Sequence, residues 1–402
     1  METQFIKLLV IFAVIMVLVL LKRSLFESIL AAMAVTVLLF GIPLVTAGEI
    51  AFRSLYEWNT VMLIINFTMI IFLQRIMEYR KLLTRAEMAL MRLSGNRRLV
   101  CMAAPIVIGF LPSAGAVNIC GEIVNDVIGD DLSVPEKTFV TSYYRHISES
   151  ISPTYNAIVL ALSLTAVKTT SFVILMLPMV VALLVLGYVF SLRKIDRRFP
   201  QTQEPFDRKE EWKQLLYCFW PLIAGIILVI ALNQTVLHVM PFIILASFVV
   251  YRLKAGEILQ LAARSIGKRI ISNTIVLMIF KNLLTYTGAM ETLPALFMKT
   301  ALPPFAAFGL VMLFGTIISG STAMIVLIIP LAFSVIPGAG APLLMFLTAL
   351  SYAAMQISPT HLCLAVVTEY FRVSWWDLVK KTLPVITIFI LILHVYYVIL
   401  VR

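Results

Sequence analysis

Charge is scarce in this sequence. Asp, Glu, Lys and Arg together make up 13% of its 402 residues, against 61% hydrophobic residues, and the mean hydropathy is +0.99. Apolar runs this long and numerous exclude an ordinary soluble domain and indicate a polytopic membrane protein. Cysteine and histidine are equally sparse, four of each. Cys101, Cys120, Cys218 and Cys363 stand singly in apolar surroundings without CxxC or Cys/His spacing, so the pattern indicates neither disulfides nor a metal site, and the thiols read as small core residues. HExxH and GxSxG are both missing, which removes the common hydrolase signatures. The net charge of +11 would suit nucleic acid, but the basic residues sit in short loops between apolar runs, so no nucleic-acid partner is expected. The first apolar run, "FIKLLVIFAVIMVLVLL", ends at Lys22-Arg23 without a small-residue cleavage site, and reads as a retained span instead of a signal peptide.

What is present is a repeat. An offset of 207 residues aligns Asn66 with Asn273, Tyr79 with Tyr286, and "LPSAGA" (Leu111 to Ala116) with "ISGSTA" (Ile318 to Ala323). At an offset of 206, two ISPT motifs coincide, Ile151 to Thr154 and Ile357 to Thr360. The repeats run over 1–198 and 211–402, joined by a charged linker at 199–210. Each half parses as two spans, a third span, a short amphipathic stretch, a Gly/Pro/Ser-interrupted apolar segment (99–128; 303–334), an ISPT segment (137–166; 342–371) and a last span.

If the interrupted segment is a re-entrant hairpin, each half crosses the bilayer five times and the second half is upside down. That arrangement collects 24 Lys/Arg on one face and leaves Lys7, Arg53, Lys168, Lys299 and Arg402 on the other, as a cytoplasmic face requires. The sequence thus predicts an all-α polytopic protein of the cytoplasmic (inner) membrane. It has two inverted-topology repeats of five transmembrane helices plus one re-entrant hairpin each, with both termini outside.

Pro153 and Pro359 each remove an intrahelical hydrogen bond in the middle of an apolar segment. In lipid the freed carbonyls are tolerated only where they face protein or a water-filled cavity, so the breaks predict a binding site. The hairpin tips, carrying Ser113, Gly115 and Asn118 in one half and Ser319, Gly320, Ser321 and Thr322 in the other, are long enough to reach the same depth. Together with Ser152, Thr154 and Asn156 at the first break and Ser358, Thr360 and His361 at the second, they predict four irregular turns near the midplane. Their N–H groups favour an anion, and their carbonyls and hydroxyls can ligate a small cation. The hydroxyls can alternatively bond their own turns.

"SGSTAMIVLIIPL" resembles the Ser/Thr-rich hairpin tip of the ion transporter superfamily of carboxylate, citrate, gluconate and arsenite carriers, and the ISPT breaks resemble its discontinuous helices. Within it, "ISPTHLCLAVVTEYF" with the "ISPTYN" copy resembles the membrane family known as domain of unknown function 401, over essentially the whole chain. The resemblance implies cation-coupled secondary transport of a small anionic substrate, a homodimer in many members, and no cofactor other than Na+ or H+ as coupling ion. The Ser-Asn-Thr triplet of dicarboxylate carriers is missing from both tips, so the resemblance by itself does not imply a dicarboxylate substrate or that subfamily's sodium sites.

The halves differ in one place: Arg145, His146 and Glu149 correspond to Ser351, Tyr352 and Met355 in the other half. Ionisable groups within spans default to functional hypotheses. Arg145, a fork of donors, would hold the substrate anion, with Glu149 and His146 as ion-coupling groups; alternatively Arg145 and Glu149, four apart on one helix face, neutralise each other. His361 is either a cavity ligand or a core histidine. Glu122, Asn125, Asp126 and Glu369 fall near the inner face. A membrane-embedded enzyme using His146, Glu149 and His361, or a passive channel, is the alternative to a carrier; an enzyme is not expected.

Overall fold

The computed structural model describes all residues except Met1, Lys22, 111–114, 199–206, Asn233, 290–301, Pro337 and Thr360. The expected site residues Ser113 and Thr360, and most of the linker, lie outside the described residues. Among the described residues the chain is all-helical. The first half folds into α1 (Glu2–Leu20), α2 (Leu25–Phe40), α3 (Leu44–Tyr56), α4 (Trp58–Tyr79), α5 (Leu82–Leu93), α6 (Arg97–Gly109), α7 (Gly115–Ile128), α8 (Val134–Ile151), α9 (Asn156–Ser163) and α10 (Thr169–Phe190). The second half supplies α11 (Arg208–Ala231), α12 (Val236–Val250), α13 (Ala255–Ser265), α14 (Lys268–Tyr286), α15 (Pro304–Ser319), α16 (Ser321–Val335), α17 (Gly340–Met355), α18 (Leu362–Phe371) and α19 (Trp375–Val401). Helix starts recur along the chain: Arg97 and Pro304 are 207 residues apart, Asn156 and Leu362 are 206 apart, and so are Thr169 and Trp375.

Among the described residues four segments are long and apolar enough to cross a membrane, Trp58–Tyr79, Thr169–Lys194, Arg208–Val229 and Trp375–Val401, and several shorter helices are also apolar. On α10, Phe172, Met176, Met179 and Leu183 are buried while Ile174, Leu177, Val181 and Val185 are more than half exposed. A stripe of bare branched aliphatics at helical spacing faces lipid in a membrane protein and would aggregate in water.

The chain forms two compact units, and both draw on both halves of the sequence. One comprises Met1–Met69, Asn156–Lys168 and Ile266–Met355; the other comprises Ile70–Tyr155, Thr169–Ser265 and Gln356–Arg402. In the first unit, α15 and α16 fold back on each other as a hairpin and both pack on α17. Gly320, the single residue between the hairpin arms, has φ +84°, a conformation that side chains other than hydrogen resist.

The second unit is organised around α8, which packs against α6, α7, α10, α18 and α19. Residues Lys137 to Ser150 of α8 are buried without interruption although most of them are polar. The helix tolerates this because Thr138, Thr141, Ser148 and Ser150 return their hydroxyls to carbonyls of the preceding turn, Val134, Lys137, Arg145 and Ile147. The hairpin arm α6 lies so close that a Cβ added at Gly109 would stand against the Arg145 carbonyl oxygen and the Ser148 hydroxyl. At the base of this hairpin, buried Arg97 donates to the Val127 and Ile128 carbonyls at 2.7 and 2.8 Å and pairs with Asp131 at 2.8 Å, which satisfies the open carbonyls ending α7.

The first turn of α8 is tied down by Glu136. This carboxylate accepts from the Ser133 amide and hydroxyl, from Lys194 Nζ at 2.6 Å, and pairs with Lys381 at 3.5 Å. Burial alone would raise its pKa, but the hydrogen bonds from Lys194 and Ser133 and the Lys381 charge outweigh it and hold the carboxyl at about 2.

Candidate functional site

Both ISPT motifs interrupt helices. At the first, α8 stops at Ile151 and α9 starts at Asn156; at the second, α17 stops at Met355 and α18 starts at Leu362. The first turn is closed from within: the Tyr155 amide donates to the Ser152 carbonyl at 3.0 Å, and the Ser152 and Thr154 hydroxyls lie 2.8 Å apart. In the second, the His361 amide donates to the Ser358 carbonyl at 3.2 Å. Pro153 and Pro359 therefore sit in connections between helices, where a missing N–H is tolerated.

The residues that flank these turns in the second unit form one cluster. Arg145 Nη1 donates to Glu149 Oε1 at 3.0 Å, with the two side chains 1% and 4% exposed. The same nitrogen lies 3.6 Å from Cys363 Sγ, and the Tyr155 hydroxyl hydrogen-bonds Glu149. The other carboxylate oxygen, Oε2, is buried and accepts no hydrogen bond from the described residues. His146 Nδ1 lies 2.6 Å from the Ser142 carbonyl oxygen. A carbonyl can only accept, so Nδ1 carries the proton and Nε2 presents a bare lone pair. That lone pair faces His361 Nε2 at 3.0 Å, and the rings meet edge to face. His361 Nε2–H is thus the donor of a histidine–histidine hydrogen bond that joins the segment before the first break to the residue after the second.

The polar groups before one motif and after the other, 215 residues apart in sequence, are thereby brought together. Ser152, Thr154 and Ser358 lie in the same unit. Thr154 also lines a cavity of about 10 Å³ with Gln74 and Phe110, roughly the room of one water. Asn118, on the exposed face of α7, is not part of the cluster, and Gly115 opens that helix. Glu122 and Asp126 on α7 are likewise exposed, whereas Asn125 is reached by Lys137 Nζ at 3.1 Å. Asn156, Ser319, Gly320, Ser321 and Thr322 belong to the first unit. There the Ser319 hydroxyl bonds the Gly315 carbonyl at 2.8 Å, Thr322 is exposed, and the Asn156 Oδ1 is buried without a partner among the described residues. The first unit also holds an open hollow of about 630 Å³ lined by Arg53, Ser54, Glu57 and Asn282, where Asn282 donates to Ser54 at 2.9 Å and to Glu57 at 2.6 Å.

Two members of the cluster were not visible as functional in the sequence: Tyr155, which follows the first motif directly, and Cys363, three residues after the second. Their one signal is position, since both stand where a broken helix resumes. No curated protein matches the chain. The family described as protein of unknown function (DUF401) matches residues 5–400, and the chain belongs to that family.

Proposed function

We propose that this protein is a secondary active transporter that carries a small anion across the cytoplasmic membrane, coupled to a proton or sodium ion. In this reading the chain has two inverted repeats of five spans and one re-entrant hairpin each. The observation that carries the proposal is α8: a polar helix buried on every side, holding Arg145, His146 and Glu149 next to a helix break in an otherwise apolar chain. A lipid-embedded protein retains buried ionisable groups chiefly where they handle substrate or ions.

The pair supplies a coupling device. A substrate anion and Glu149 compete for the Arg145 guanidinium, whose planar fork of donors suits a carboxylate or oxyanion. A proton or sodium ion bound by Glu149 releases the guanidinium to the anion. The cluster is then net neutral both with the Arg145–Glu149 pair closed and with cation and anion bound together, so loading adds no net charge to a low-dielectric interior. The test is a ligand screen by thermal shift on purified protein, with and without sodium, since binding to the native state raises its stability. Uptake of the hits into proteoliposomes follows. Concentrative uptake that collapses with an ionophore supports the carrier; flux that only follows the substrate's own gradient makes the protein a channel.

A further inference from the structure

The cluster at the two breaks contains a ligand set that sequence spacing does not announce. One ligating atom each from His146, His361 and Cys363 lies within 4.8 Å of the others, with His146 fully buried and the other two partly so. The histidines approach to 3.0 Å through their Nε2 atoms, and the outer nitrogen of His146 is already oriented by the Ser142 carbonyl at 2.6 Å. A fixed outer hydrogen bond of this kind is what a metal-bound imidazole needs, because it sets the tautomer and aims the inner lone pair. Arg145 Nη1, 3.6 Å from Cys363 Sγ, stands where it can support a thiolate from outside the ligand set.

We infer that His146, His361 and Cys363 form a binding site for a soft monovalent d10 cation, copper(I) in particular. Two imidazoles and one thiolate match the preference of soft ions for sulfur with nitrogen. Charge selects among them. Copper(I) with one thiolate is neutral, whereas zinc(II) would leave a net positive charge in a buried site where Arg145 and Glu149 already cancel each other. Metal–nitrogen distances of about 2.0–2.1 Å and a metal–sulfur distance of about 2.3 Å in a trigonal site need N···N near 3.5 Å and N···S near 3.8 Å. The ligands therefore reach the geometry by opening the histidine contact by about half an ångström and closing the widest gap by about one. His361 belongs to the non-helical connection before α18, where a side chain can make that adjustment. Binding exchanges the His361 Nε2 proton to Nδ1 and expels the Cys363 thiol proton, so one proton leaves for each copper(I) bound and no redox change occurs.

This inference is independent of the carrier reading and is tested on the metal alone. Full-length protein in detergent, kept anaerobic, is titrated with copper(I) against a chromogenic chelator, and X-ray absorption reads the first shell. The expected result is one equivalent bound, a shell of two nitrogens and one sulfur, and one proton released. Affinity should fall about 100-fold or more in Cys363→Ser and in His361→Gln. A variant with Cys101, Cys120 and Cys218 all changed to Ser should bind as wild type, and zinc(II) should bind more weakly than copper(I). Wild-type protein that binds no copper(I), a shell with two or more sulfurs, unchanged affinity in a folded Cys363→Ser or His361→Gln, or binding lost with the three other cysteines overturns the site. The shell measurement needs no variant, so it decides even if a substitution fails to fold.

Discussion

The Arg145–Glu149 pair can be dissected because its two members differ in what remains when the other is removed. Glu149→Ala leaves a guanidinium buried in the centre of the second unit, 1% exposed and unable to give up its proton at any workable pH. Loss of one partner of a buried pair costs about 3–5 kcal/mol. Arg145→Ala leaves a carboxylate that keeps the hydrogen bond from the Tyr155 hydroxyl, so its loss should fall at the lower end of that range and that of Glu149→Ala at the upper end. The assay is thermal or denaturant unfolding of both variants, the double alanine variant and wild type in one detergent. The double variant should recover a large part of the loss, since removing both charges removes the buried ion altogether. A larger loss in Arg145→Ala than in Glu149→Ala, or strict additivity in the double, refutes the reasoning. In transport, Glu149→Gln should retain substrate exchange and lose dependence on the ion gradient; if it remains fully coupled, the pair is structural and the coupling ion binds elsewhere.

Gly109→Ala should destabilise by about 3 kcal/mol or more, because the new methyl meets the Arg145 carbonyl and forces α6 off α8; unfolding curves or loss of folded yield report it. Pro153→Ala and Pro359→Ala should insert normally and impair uptake by letting a helix close through the site, and wild-type uptake kinetics in both would reduce the breaks to packing features. Glu136 is held at about 2 against an ordinary 4.5, so its ion pairs add stability above pH 4.5 that disappears as the pH falls toward 2. The stability difference between wild type and Glu136→Gln should therefore shrink from pH 6 to pH 3, and a constant difference contradicts that origin.

By itself the sequence determined the solvent, the helical class and the interruptions. These are properties of composition and of local chain chemistry: long apolar runs require a bilayer, and proline removes a donor. The i,i+4 pairing of Arg145 with Glu149 was legible for the same reason, since one helical turn fixes it. Only the tertiary structure decided that His146 meets His361 across 215 residues, that Cys363 lies under Arg145, and that Gly109 admits no side chain. It also decided that a helix as polar as α8 is buried on every side instead of presenting a face to water. Such contacts depend on which helices pack against α8 and at what separation, and no periodicity within a single helix encodes that.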